Sequence, residues 1–159
     1  MTSDAAGALV ARLEGIARIS GDRLEVDDRA RFRHEALDGF VFDAVFDPDR
    51  YLRDAARWVI WSASQALGCG SASIHQLHLA RGRGELGPAA FTVPAINVRA
   101  SAYLTARQAF AAAIEREVGA VIFEIAKSEM AYTDQRPAEY TAVILAAAMR
   151  EGWSGPVFL

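Results

Sequence analysis

The stretch from Phe91 to Leu159 limits the possible folds more than any other part of this 159-residue chain. It reads as strand, helix, strand, helix and then the start of a third strand, Gly155-Pro156-Val157-Phe158-Leu159. A helix in each strand-to-strand interval is the mark of right-handed parallel crossovers. A parallel sheet is buried on both faces, so an apolar run such as Val157 to Leu159 needs neighbours on either side. The expectation is α/β, as the opening part of a larger barrel that the chain does not complete.

The second strand of that series is Val121-Ile122-Phe123-Glu124-Ile125-Ala126, and the first is Thr92-Val93-Pro94-Ala95-Ile96-Asn97-Val98, with Pro94 near its beginning. Between them, residues 102–117 carry Ala106, Phe110, Ala113 and Ile114 on one helical face, with Gly119 following. Pro137 opens a helix whose stripe includes Tyr140, Val143, Ile144 and Ala147, and Gly152 closes it.

Residues 1–70 read as a helical extension. Ser3 is placed to cap a helix bearing Leu9, Val10, Leu13, Ile16 and Ala17, which Gly21-Asp22 breaks. Asp27 to Phe46 mixes charge with Phe32, Phe40, Val41, Phe42, Val45 and Phe46 and fits a helix with a buried corner. Asp47-Pro48 marks a helix start, and Leu52, Ala55, Ala56, Val59, Ile60, Ala63 and Leu67 follow at helical spacing up to Gly68. Trp58 and Trp61 beside that stripe imply cover on more than one side. Gly68-Cys69-Gly70-Ser71 is the best internal boundary. It divides an extension, 1–70, from the barrel part, 71–159, where Ser71 or Ser73 caps a short helix through about Ala80.

Composition narrows the function classes. With 17 basic and 20 acidic residues the net charge is −3, which gives no reason to expect nucleic acid as a partner. A single cysteine, Cys69, rules out an internal disulfide framework and suits a reducing compartment. No apolar stretch approaches the ~20 residues of a membrane helix, and the amino terminus lacks the basic and apolar regions of a signal peptide. The reading is a cytoplasmic protein with no membrane partner.

Strand alternation sets Ile96 and Val98 on one face and Asn97 and Arg99 on the other; Val121, Phe123 and Ile125 oppose Ile122, Glu124 and Ala126. The apolar faces should meet the helices, leaving polar groups to gather at the carboxyl ends of the strands, where barrel enzymes hold their sites. Asn97, Arg99, Glu124 and Lys127 are therefore the substrate-binding candidates. Glu124 is a candidate to interact with substrate or to pair with Arg99 from the adjacent strand. Arg99 is suited to a phosphate or carboxylate. Lys127 raises a Schiff-base mechanism with a carbonyl substrate. Glu129, Tyr132 and Asp134 read as a solvated loop, and Arg81 and Arg83 as a solvated turn. His75 and His78 are one helical turn apart but lack a carboxylate or Cys at ligand spacing, so no metal site is assigned.

Phe91 to Val98 resembles the opening strand of class II, zinc-dependent ketose-bisphosphate aldolases, in which an Ala-Phe-Asn or Ala-Val-Asn triplet is typical. The helix from Ala72 to Ala80 is similar to the one that precedes that strand in the family. Ala111-Ala112-Ala113 with Gly119-Ala120-Val121-Ile122-Phe123 resembles the approach to its second strand, and Gly155 to Leu159 its third. The resemblance covers residues 71–159. It implies a TIM (β/α)8 barrel, of which this chain holds three strands and two helices, and a lyase that cleaves or forms a carbon–carbon bond in a ketose phosphate. It carries Asn97 over as a substrate-site residue. In the family the third strand runs into an Asp-His pair, the Asp moving the proton and the His binding zinc, and further ligands lie on later strands. The family also often has a Ser near the end of the second strand, where this chain has Ala126, with Ser128 two residues on.

The expectation is thus the first part of a zinc-assisted aldolase: zinc in the full-length relative, none in this chain, no catalytic residue here, and a sugar phosphate as partner of the intact relative. The alternatives are a non-catalytic α/β interaction module, including a homo-oligomer, and a metal-free Schiff-base aldolase using Lys127.

Overall fold

The structure, a computed structural model, describes Gly7 and residues 9–87 and 89–159. The helix cap expected at Ser3 lies outside these residues. The chain is mixed α/β, with a two-stranded antiparallel sheet and a four-stranded parallel sheet.

The first departure from the expected helical extension is a hairpin. Strand β1 (Ala17–Ser20) pairs antiparallel with β2 (Arg23–Val26), in register Ala17 with Val26. Gly21-Asp22, expected to break a helix, is the two-residue turn. Gly21 stands first with φ 63°, a conformation open to glycine and suited to a tight hairpin. The pattern hides the strands because only Ala17 and Leu24 are buried across the eight positions. Leu24 reaches the core, and its N–H donates to Ser62 Oγ at 2.9 Å.

Asp28 then caps a helix whose first turn is Arg29–Arg31 and which passes through a π-helical stretch, Phe32–Ala36, into helix α1 (Leu37–Phe46). In the π stretch the Leu37 N–H reaches back five residues to the Phe32 carbonyl. Helix α2 (Arg50–Leu67) begins two residues later than Asp47-Pro48 suggests. Asp49 is its cap, accepting from Tyr51 N at 2.8 Å, and Asp47 in turn accepts from Asp49 N at 2.8 Å. The predicted stripe is buried at Ala56, Val59, Ile60, Ala63 and Leu67. Gly68 closes the helix with φ 80°. Trp61 stays exposed, so this flank of the helix is not covered there.

Strand β3 (Ser71–Ala72) is followed by helix α3 (Ile74–Gly82), where Ser73 and Gln76 form a reciprocal capping box. The series then runs β4 (Ala90–Val93), helix α4 (Ala102–Glu115), β5 (Ala120–Phe123), helix α5 (Lys127–Thr133), helix α6 (Pro137–Glu151) and β6 (Val157–Phe158). Pro137 takes the first turn of α6, and Gly152 ends it with φ 80°, as the sequence implies.

In the parallel sheet the order is β3-β6-β5-β4. The strands β4, β5 and β6 lie side by side in chain order, and β3 closes the rim of β6. That closure is held by Val157 N donating to Gly70 O at 3.0 Å, Leu159 N to Ala72 O at 3.2 Å, and Gly155 N to Gly68 O at 3.1 Å. The glycine-rich stretch after α2 is therefore the seam to the last strand.

The first strand of the expected series is shorter than its sequence suggests. Its ladder with β5 runs from Ala90–Ala120 to Val93–Phe123, and Pro94, lacking an N–H, ends it. Asn97 and Arg99 consequently lie on the following loop and its 3-10 turn, Arg99–Ser101.

The two faces of the sheet are covered unequally. Phe91, Val93, Val121, Phe123 and Val157 join a large core with α1, α2, α4 and α6. There Phe110 meets Phe123 and Trp153 at ring separations of 5.2 and 5.7 Å. The other face, with Ala120, Ile122 and Phe158, is covered by Leu77 of α3 and by Leu86.

Candidate functional site

The four residues expected at the carboxyl ends of the strands do not converge on one cavity. Glu124 follows β5, and its exposed side chain borders a depression of about 480 Å³ walled by Ile74, Ile122, Met130, Tyr140 and Leu159. Its carbonyl accepts the Tyr140 hydroxyl at 3.0 Å. Burial pushes the Tyr140 phenol up to about 12. Lys127 is exposed at the first position of α5. Asn97 is exposed on its loop; the neighbouring Ile96 carbonyl is held by Nε2 of the buried Gln135 at 2.8 Å.

Arg99 turns toward the helices, and its partner is Glu139 rather than Glu124. Arg99 Nε and Nη2 donate to Glu139 Oε1 and Oε2 at 2.6 and 2.7 Å, a side-on bidentate pair. Arg57 Nη2 donates to Glu139 Oε2 at 3.0 Å. Glu139 is only 2% exposed, so one carboxylate holds two guanidinium groups at the base of a cavity. Further bonds fix both arginines. Arg57 Nε and Nη2 donate to the Ala44 carbonyl at 3.0 and 2.8 Å, and Arg99 Nη2 to the Val45 carbonyl at 3.2 Å. The hydrogen bond to Glu139 holds the Arg99 guanidinium above its ordinary range, against the opposing effect of burial.

The cavity above this triad measures about 590 Å³. Its wall includes Asp47, Arg50, Arg53, Asp54, Arg57, Arg99, Asp134, Arg136 and Glu139. Its mouth lies where α2 and α6 begin and beside the loop after β4. Asp134, expected in a solvated loop, lies 3.4 Å from Arg99 Nη1 with its side chain largely exposed.

Sequence reasoning misses Glu139, Arg57 and Arg136. A signal for Glu139 exists: it stands four residues before Val143 and eight before Ala147, on the buried stripe of α6. A carboxylate on such a stripe requires a cationic partner. Which cation answers it, 40 residues back at Arg99 or 82 at Arg57, is set by helix packing.

Among the described residues no three His, Cys, Asp or Glu side chains form a group able to hold a metal ion. His75 and His78 are exposed on α3. The zinc expected of a full-length relative is not assigned to these residues. Cys69 is buried, and burial pushes its thiol up to about 11, so it does not act as a ready thiolate. No described helix is long and apolar enough to cross a membrane.

Comparison with protein-family models, with curated proteins and with solved structures returned no match.

Proposed function

We propose that this chain supplies the opening staves of a class II aldolase-like (β/α)8 barrel, and that the carboxyl rim of its sheet contributes substrate contacts to a lyase acting on a ketose phosphate. The observation that carries the reading is the sheet order. Three successive strands, β4, β5 and β6, lie side by side and parallel in chain order, each interval spanned by helix. That is how adjoining staves of such a barrel are laid. Asn97, Glu124 and Lys127 are the rim residues in this reading, and Arg99 is a positioning residue tied to Glu139. In this reading zinc and the proton-transferring carboxylate would come from other staves, a fourth of which would pair with β6 in place of β3, and no step of the reaction is assigned to this chain.

The test is a titration with dihydroxyacetone phosphate followed by amide chemical shifts. Saturable shifts at Asn97 and at residues 124–128, lost in Asn97→Ala, support the proposal. Their absence, or fructose bisphosphate cleavage with stoichiometric zinc by this chain alone, refutes it. A Schiff-base route needs a desolvated or otherwise activated amine, and Lys127 is exposed; borohydride trapping of a carbonyl substrate on Lys127 would restore that route.

A second reading, a non-catalytic interaction module, is favoured by one feature. Phe42, Phe46, Val98 and Leu104 are all exposed, and all but Val98 border a groove of about 190 Å³ between α1 and α4. A concentration-dependent dimer in sedimentation, abolished by Phe42→Ser, would support it; a monomer at every concentration would count against it.

A further inference from the structure

We infer that the arginine-lined cavity between α2 and α6 is a binding site for the phosphate group of a small phosphate ester, separate from the strand rim and independent of the lyase reading. The chain as a whole is acidic, with a net charge of −3, yet this cavity gathers five arginines, Arg50, Arg53, Arg57, Arg99 and Arg136, against four carboxylates. The carboxylates are largely engaged. Glu139 is held by Arg57 and Arg99, Asp54 lies 3.3 Å from Arg57 Nη1, and Asp134 lies 3.4 Å from Arg99 Nη1. Asp47 accepts from Asp49 N.

The outer arginines are matched differently. Arg53 Nη1 donates to the carbonyls of Asp47 and Pro48, at 2.5 and 3.1 Å, which orient the group without neutralising it. Arg50 and Arg136 enter no ion pair among the described residues; Arg50 lies over the Tyr51 ring at 5.7 Å. The inner triad is thus a closed ionic base, and the outer three guanidiniums supply the attraction.

Two features select the ligand class. The arginines come from three separate parts of the chain, α2, the loop after β4 and the turn before α6, so donors reach the cavity from several directions. A tetrahedral phosphate offers acceptors to such a set, whereas a carboxylate presents two oxygens in one plane. The volume, about 590 Å³, exceeds a bare phosphate and falls within the range of small-molecule sites. The lining is mostly charged, with Val45, Phe46 and Pro48 as its apolar part, so the remainder of the ester is polar and hydroxylated. The amino end of α6 adds to the field. Arg136 stands at its cap position with no side-chain cap bond, leaving first-turn N–H groups for an anion.

The experiment titrates the intact chain with inorganic phosphate, and in a second arm with glycerol 3-phosphate, at constant ionic strength set by sodium chloride. Arginine Nε–Hε and backbone amide shifts are followed. Saturable shifts at Arg50, Arg53 and Arg136 and at the amides of Ala138 and Glu139 are expected, with the ester binding more tightly than phosphate. Arg50→Gln and Arg136→Gln should each weaken binding roughly tenfold or more, the strength of a charge-assisted hydrogen bond. Arg23→Gln, in the exposed hairpin, should change nothing. If a cavity variant fails to fold, phosphate must still raise the melting temperature of the unaltered chain, with a gain that grows as the logarithm of its concentration and that sodium chloride at equal ionic strength does not reproduce. Linear shifts, equal competition by chloride, or unchanged affinity in the Arg50→Gln/Arg136→Gln variant would overturn the assignment. Asn97→Ala must leave this affinity intact, which separates a failure here from a failure at the strand rim.

Discussion

Replacing Glu139 by Gln tests whether the ionic triad ties α2 and α6 to the turn after β4. The substitution keeps volume and one carbonyl-type acceptor, but removes the charge and turns one oxygen into a donor that faces a guanidinium. Three charge-assisted hydrogen bonds meet at Glu139, from Arg57 Nη2 and from Arg99 Nε and Nη2. Breaking a buried pair from one side costs about 3–5 kcal/mol, because the surviving charge is left without its partner. Here the Arg57 and Arg99 side chains retain 15% and 30% exposure and can partly rehydrate. The expected loss is therefore about 2–4 kcal/mol. With a urea slope of about 2 kcal/mol per molar, the unfolding midpoint should fall by about 1–2 M. The assay is urea unfolding followed by tryptophan fluorescence, with Arg99→Gln and the double variant completing a cycle. A coupling of at least about 1.5 kcal/mol is expected. Because the pair is largely shielded, 0.5 M salt should leave most of that coupling in place. An apolar replacement of the whole triad, Glu139→Leu combined with Arg57→Met and Arg99→Met, should recover most of the loss. A midpoint shift below about 0.3 M, or a coupling indistinguishable from zero, would refute the reasoning.

Two further predictions concern backbone approach and buried ionisation. At Gly119 a Cβ would lie 2.6 Å from Gly87 N and 2.9 Å from Gly87 Cα, so Gly119→Ala should cost about 1–3 kcal/mol. Gly82→Ala, in α3 with open space around it, should be neutral or gain up to about 1 kcal/mol; thermal melts that rank the two the other way would contradict the close approach. For Cys69, burial raises the thiol from 9.0 to about 11. The folded chain then keeps a proton that the unfolded chain releases, so stability falls as pH rises from 9 toward 11, by about 1.4 kcal/mol per unit at most. Unfolding midpoints at the two ends of that window should show a steeper decline than in Cys69→Ala, and equal declines would exclude a thiol buried in this way.

Much of the fold is legible because its signals are local. Pro137 and Gly152 bracket α6, Gly68 ends α2, and the stripe from Ala56 to Leu67 marks the buried face. The hairpin at Ala17–Val26 is not legible: its exposed positions give no alternation, and only Leu24 anchors β2. The end of β4 is misplaced by the sequence pattern, which sets Pro94 near the start of a strand that it terminates. That displacement moves Asn97 and Arg99 onto strand faces they do not occupy, and with them the expected Arg99–Glu124 pair. For the candidate site, the sequence points to Arg99 but not to its role.

What the chain determines by itself is the alternation of β4, α4, β5, α6 and β6, since periodicity, caps and breakers act over a few residues. Tertiary packing alone decided that Ser71–Ala72 lies against Val157–Phe158, and that Glu139 meets Arg99 and Arg57 across 40 and 82 positions. Such partnerships depend on how whole helices seat on the sheet, and no spacing along the chain encodes that distance.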